Sequence, residues 1–125
     1  MDITPLIPQG RQVIESYGNG GFRVTGESFR GSILVLPTWS TAWPLTAIEE
    51  LDLASLEPVL AAEPAVEVLL IGCGRAMAFI DPELHAAARA RGVALEPMDT
   101  GAACRTYNVL MAEDRRVAAA LIAVD

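Results

Sequence analysis

The residues of this chain whose types could carry chemistry are few. They are Cys73, Cys104, the one histidine His85, and the run Gly72-Cys73-Gly74-Arg75. A nucleophilic Cys73 needs a neighbouring base and a lowered thiol pKa. His85 sits in Glu83-Leu84-His85-Ala86, and nothing in the sequence brings it to Cys73. Cys73 therefore reads as an inert small residue in a tight turn, and His85 as an exposed helix residue. One histidine and two distant cysteines give no metal-ligand spacing, so no metal is expected. Gly72-x-Gly74 follows an apolar run, at the place where open α/β sheets bind ligands. Its glycines allow close backbone approach, and Arg75 suits a carboxylate or phosphate. The dinucleotide fingerprint requires a third glycine where this chain has Met77, so no cofactor is expected. A plain tight turn, with Arg75 at the surface or paired with a carboxylate, stands beside the ligand reading.

The second informative run is Asp99-Thr100-Gly101-Ala102-Ala103-Cys104-Arg105-Thr106-Tyr107-Asn108. A helix start after a strand offers unpaired amides to an anion, but Asp99 already supplies negative charge there as a cap. Asn108 is unusual inside a helix, because its side chain competes with the backbone. It is expected to tie the helix to a neighbouring loop such as Gly72–Arg75. Tyr107 is expected to put its ring in the core and its hydroxyl on a partner. Two readings stay open for this run: a structural network, or a ligand or partner face. Trp39, Trp43 and Phe79 form either an exposed aromatic patch or a cover for the sheet edge. Glu49, Glu50 and Asp52 read as a solvated acidic stretch.

These residues need elements to position them. Met1–Pro8 reads as an extended lead-in. Gln12–Tyr17 and Phe22–Thr25 flank Gly18-Asn19-Gly20-Gly21 and predict a β-hairpin. Glu27–Arg30 is a further short extended piece. Ser32–Leu36, Val66–Ile71, Val93–Met98 and Val117–Val124 are strand-like runs, and the most apolar of them suit burial on both faces. Thr38–Thr46 reads as a loop. Helices are expected over Asp52–Ala62, from Asp81-Pro82 to about Arg91, and from Gly101 to about Met111. Alternation of strand and helix is the α/β pattern. The expected fold is a single three-layer α/β domain over 1–125. It has a central mixed sheet of about four strands, helices packed on it and an N-terminal β-hairpin layer, and the direction of the last strand is open.

Composition narrows the function. The formal net charge is −7, and all nine basic residues are arginine. With no lysine there is no Schiff-base lysine and no lysine-bearing phosphate loop. The one adjacent basic pair, Arg115–Arg116, follows Glu113-Asp114, so nucleic acid is not an expected partner. No run approaches the roughly 20 apolar residues of a membrane span. The N-terminus has neither a signal-peptide nor a transit-peptide pattern. A cytoplasmic location with cysteines as free thiols is expected.

Several pieces then combine: Gly72-x-Gly74-Arg75, Pro82-Glu83-Leu84, Gly92-Val93, Met98-Asp99-Thr100, Ala102-Ala103-x-x-Thr106-Tyr107-Asn108-x-Leu110 and Glu113-x-Arg115-x-Val117. Together with the upstream Ile-Leu-Val-Leu-Pro and Trp43, this spacing resembles the domain-of-unknown-function family that includes mitochondrial complex I assembly factor three and its bacterial relatives. The resemblance implies a three-layer fold around a small mixed sheet. For mitochondrial members it implies a role in assembling respiratory complex I through protein contacts, without known catalysis. Bacterial members are mostly uncharacterised, some encoded near protein-export genes, and this chain looks like one of them. The family brings no agreed catalytic residues. It contributes shared positions as candidates for a ligand or partner face: Gly72, Gly74, Arg75, Asp99, Thr100, Thr106, Tyr107, Asn108 and Arg115.

Two functions follow as expectations. The first is a non-catalytic interaction domain in assembly or biogenesis of a membrane complex, with a protein partner and with homo-oligomerisation left open. The second is a small-molecule or anion binder, with or without catalysis, using a cleft at the carboxyl end of the sheet between Gly72–Arg75 and Asp99–Asn108, for which a deep pocket lined by Arg75, Thr106 and Asn108 is the discriminating feature. The balance leans away from an enzyme.

Overall fold

The computed structural model describes residues 10–125, so the lead-in expected over Met1–Pro8 lies outside the described residues. An antiparallel meander comes first: β1 (Ile14–Gly18), β2 (Gly21–Val24) and β3 (Glu27–Arg30). Asn19 and Gly20 connect β1 to β2 with φ of 52° and 76°. That turn matches the twist of its flanking strands and needs residues that tolerate positive φ. The expected hairpin is present, and the extended piece Glu27–Arg30 adds a third strand to it.

The remaining strands form one mixed sheet. They are β4 (Ile33–Val35), β5 (Ser40–Ala42), β6 (Val68–Gly72), β7 (Ala94–Met98) and β8 (Val117–Leu121), in the spatial order β5-β4-β8-β6-β7. β6 pairs in parallel with β7 and with β8, while β4 is antiparallel to β5 and β8. The sheet thus has five strands, one more than expected. The addition is β5, inside the stretch read as a loop. Three residues, Ser-Thr-Ala, carry no apolar alternation, and β5 takes its register from β4. The last strand, whose direction was open, is parallel to β6 and central.

Three helices connect and cover the sheet: α1 (Glu57–Leu60), α2 (Pro82–Ala90) and α3 (Thr100–Ala112). The helix expected over Asp52–Ala62 is instead a 3-10 turn, Ala54–Leu56, followed by the single turn α1. Pro58 explains the break. It lacks an N–H, and within a continuous helix its ring would press on the carbonyl four residues back. α2 begins as expected, with Asp81 accepting the Glu83 N–H at 2.9 Å and Pro82 in the first turn.

Alternation along the strands divides the core in two. Leu34, Leu36, Leu69, Ile71, Ala118 and Ala120 face one side, with Leu56, Val59 and Ala88 packed over them. Ile33, Val35, Leu70, Ala119 and Leu121 face the other, under Tyr107 and Met111 of α3 and Phe22 and Val24 of the meander. This makes three layers. Ala118-Ala119-Ala120 in the central strand keeps both faces shallow, so the covering layers approach closely. At the outer edge, the Ala94 N–H bonds Glu67 O and the Cys73 N–H bonds Met98 O. Period two then turns Pro97 toward the free side of β7, where it removes a donor from an edge otherwise open to strand addition.

Candidate functional site

The strand-end turn and the start of α3 meet at Gly72. A Cβ there would lie 2.9 Å from Leu121 Cδ2 and 3.1 Å from Thr100 Cα, so glycine is what lets α3 settle over the end of β6. Thr100 then joins three chain segments. Its N–H donates to Gly74 O at 2.8 Å, its hydroxyl donates to Ile122 O at 2.7 Å, and its oxygen accepts the Gly74 N–H at 3.0 Å. Asp99 caps α3 by accepting the Ala102 N–H at 2.8 Å. The amides that an anion would seek are therefore partly satisfied from within. Arg75 projects outward and pairs with Asp125 at 3.2 Å, both side chains largely exposed. A shallow depression of about 250 Å³ separates Thr46–Glu49 from Cys73–Arg75 and Ile122–Asp125.

Further along α3 the polar residues serve the meander. The Asn108 carbonyl accepts the Ile14 N–H at 3.0 Å, and its amide donates to Ile14 O at 2.8 Å. The link expected from Asn108 to Gly72–Arg75 is not made. Eight residues of helix put Asn108 roughly 12 Å beyond Thr100 along the axis, against β1. Tyr107 has its ring in the core, as expected, and its hydroxyl donates to Gln12 O at 3.0 Å. Leu36 O is also within 3.4 Å of that hydroxyl. Burial pushes the Tyr107 phenol well above its ordinary pKa, with Arg11 pulling weakly the other way.

Nine candidates therefore do not converge on one cleft. Gly72, Gly74, Arg75, Asp99 and Thr100 gather at the carboxyl ends of the parallel strands. Tyr107 and Asn108 hold the meander. Thr106 is half-buried on α3, and Arg115 is exposed before β8, at the opposite end of the sheet.

Cys73 and Cys104 are free and buried, and they belong to cores on opposite faces of the sheet. Burial pushes the Cys104 thiol up to about 12; Arg105 lowers it and Asp99 raises it by smaller amounts. That is the reverse of thiol activation. His85 is half-buried in α2, where exposure was expected. Among the described residues, no three of His, Cys, Asp or Glu group to hold a metal ion.

The aromatic trio separates as well. Trp43 is buried and donates from Nε1 to Ser55 O at 2.9 Å. Trp39 is partly exposed, and Phe79 is 98% exposed, so the three make no common patch. The acidic stretch is more engaged than expected. Glu50 accepts from the Thr46 hydroxyl and from the Thr46 and Ala47 amides, and these bonds, the hydroxyl first, lower its pKa. Asp52 accepts the Ser55 N–H at 2.8 Å.

Sequence reasoning missed the packing of Tyr17 on Gly101. A Cβ at Gly101 would lie 2.5 Å from the Tyr17 hydroxyl oxygen, and Arg105 donates to that hydroxyl at 3.2 Å. A glycine in the first turn of a helix was the available signal, because it is costly there without a packing reason. No helix among the described residues is long and apolar enough to cross a membrane.

Known proteins share this arrangement. A crystal structure of an outer membrane protein from Bartonella henselae is 41% identical, with a TM-score of 0.85, covering 93% of this chain and 98% of that one. A Bordetella pertussis protein solved in solution, a Mth938-like domain, is 31% identical with a TM-score of 0.80, over 98% of this chain and 92% of that one. NADH dehydrogenase [ubiquinone] 1 alpha subcomplex assembly factor 3 of Xenopus tropicalis is 36% identical over 87% of this chain. The chain spans 60% of that relative's length. An uncharacterized Rhodobacter capsulatus protein is 42% identical over 90% of this chain and 86% of its own. A family model matches residues 14–122, nearly all of the described chain, and the protein belongs to that family, described as protein of unknown function (DUF498/DUF598).

Proposed function

We propose that this chain is a non-catalytic protein-binding domain that assists assembly of a respiratory membrane complex of the NADH dehydrogenase type, working from the cytoplasm. The observation that carries this reading is the 36% identity, over 87% of the chain, to a protein named as an assembly factor for that enzyme. The site geometry supports it. Thr100, Tyr107 and Asn108 bond to backbone groups of this same chain, and Arg75 pairs with Asp125. The cleft that an anion binder needs would have Arg75, Thr106 and Asn108 together, whereas Arg75 and Asn108 lie on different parts of the surface. Two buried free thiols fit a reducing compartment.

The test is deletion in a cell that makes this protein. Assembled NADH dehydrogenase complex should fall on native gels and return when the wild-type chain is supplied. Unchanged assembly would overturn the reading.

A further inference from the structure

One surface is not explained by folding. The loop Cys73–Asp81 leaves the carboxyl end of β6 and leads into α2. Within it Phe79 is 98% exposed and Met77 is 55% exposed. Beside Phe79 lies a depression of about 190 Å³ whose apolar wall is Ile48, Leu51 and Leu84. All three are only partly buried. Glu49 and Asp81 stand on its rim, and no arginine lines it among the described residues. Glu49 also borders the neighbouring depression, where Arg75 is already paired with Asp125.

An aromatic anchor beside a small apolar wall, with Glu49 and the helix-capping Asp81 on its rim and no arginine among its lining residues, has the make-up of an interface centre. A phenylalanine kept in water contributes nothing to this fold. Burying it against a partner is worth about 10- to 100-fold in affinity. The acidic rim, on a chain of net charge −7, selects the partner's sign. We propose that the Phe79 loop and the Ile48–Leu51–Leu84 depression dock a protein segment that carries an apolar side chain flanked by arginine or lysine. This rests on the protein-binding reading above and names the face and the partner's chemistry.

The experiment selects random 16-residue phage-displayed peptides on the intact chain, with counter-selection on Phe79→Ala. Phe79 is exposed, so this variant keeps its fold, which its melting temperature checks. The expected peptides carry an aromatic or branched apolar residue next to arginine or lysine. They should lose about 10-fold or more in affinity for Phe79→Ala and for Glu49→Lys, and weaken with added salt. Amide shifts should map to 48–51 and 77–84. The proposal is overturned if no peptide depends on Phe79, or if those enriched lack basic residues. It is equally overturned if Phe79→Ala instead abolishes self-association in sedimentation, which makes the occupant a second copy. Binding of phosphatidylglycerol vesicles that is lost in the same variant makes it a membrane. Failure here with the deletion defect intact moves the docking face elsewhere. Peptide capture at Phe79 with normal complex assembly overturns the assembly role alone.

Discussion

Asn108 holds Ile14 by both edges of its side-chain amide: the oxygen accepts the Ile14 N–H and the nitrogen donates to the Ile14 carbonyl. The amide reproduces the two-bond ring that a neighbouring strand would make, and in effect α3 supplies one residue's worth of strand to the open side of β1. Replacing Asn108 with alanine leaves both Ile14 groups without these partners, at a cost of about 1–3 kcal/mol. Urea unfolding should show the loss, and amide exchange should quicken first at 14–18. Exchange quickened uniformly across the chain would argue against a local role.

Thr100→Val keeps the shape and removes the hydroxyl. The buried Ile122 O and the partly buried Gly74 N–H then each lose a partner, and stability should fall by about 1–3 kcal/mol. Thr100→Ser keeps the oxygen and should recover most of it. Equal loss in both variants would place the effect in packing of the methyl group.

Gly72→Ala forces its new methyl against Leu121 and the backbone of Thr100. Overpacking of this kind costs about 1–3 kcal/mol. Leu121→Ala in the same chain should relieve the side-chain part of the clash, so the double variant should be more stable than the sum of the two single changes allows. A double-mutant cycle by thermal unfolding measures this coupling.

Stability should decline in alkali. The folded state raises the Cys104 thiol from its ordinary 9.0 to about 12, and it raises the Tyr107 phenol too. A raised folded pKa means that the folded chain holds its proton after the unfolded chain has released it. The contribution is whole below pH 9 and is lost as pH climbs toward 12. Cys104→Ala should flatten part of this slope, read from urea midpoints at pH 8, 9 and 10. An unchanged slope would show that Cys104 does not supply it.

Much of the architecture was legible because its signals are local. Asp81-Pro82 and Asp99-Thr100 start helices by capping alone, and Asn19-Gly20 turns a hairpin whatever surrounds it. β5 was not legible, since Ser40–Ala42 becomes a strand only beside β4. The single helix expected over Asp52–Ala62 missed the force of Pro58. At the site, the capping role of Asp99 and the core placement of Tyr107 were readable from spacing. The partner of Asn108 was not, because Ile14 stands 94 positions away, and nothing in either segment records the other. The exposure of Phe79 was one of two readings the sequence left open, as an apolar residue in a loop has no periodicity to say which way it faces.

The middle strand of the five-stranded sheet, β8, is the last of the strands in chain order. A ribosome making this chain releases β4 and β6 long before the strand that must lie between them. Ile33–Val35 and Leu69–Ile71 then wait with both faces apolar and an edge open until residue 121 has emerged. The β6–β7 pair can form earlier, but joining it to β4 and β5 is a long-range closure that comes late and slowly. Over that interval the strand order leaves apolar faces and strand edges uncovered together, the condition under which incomplete chains aggregate.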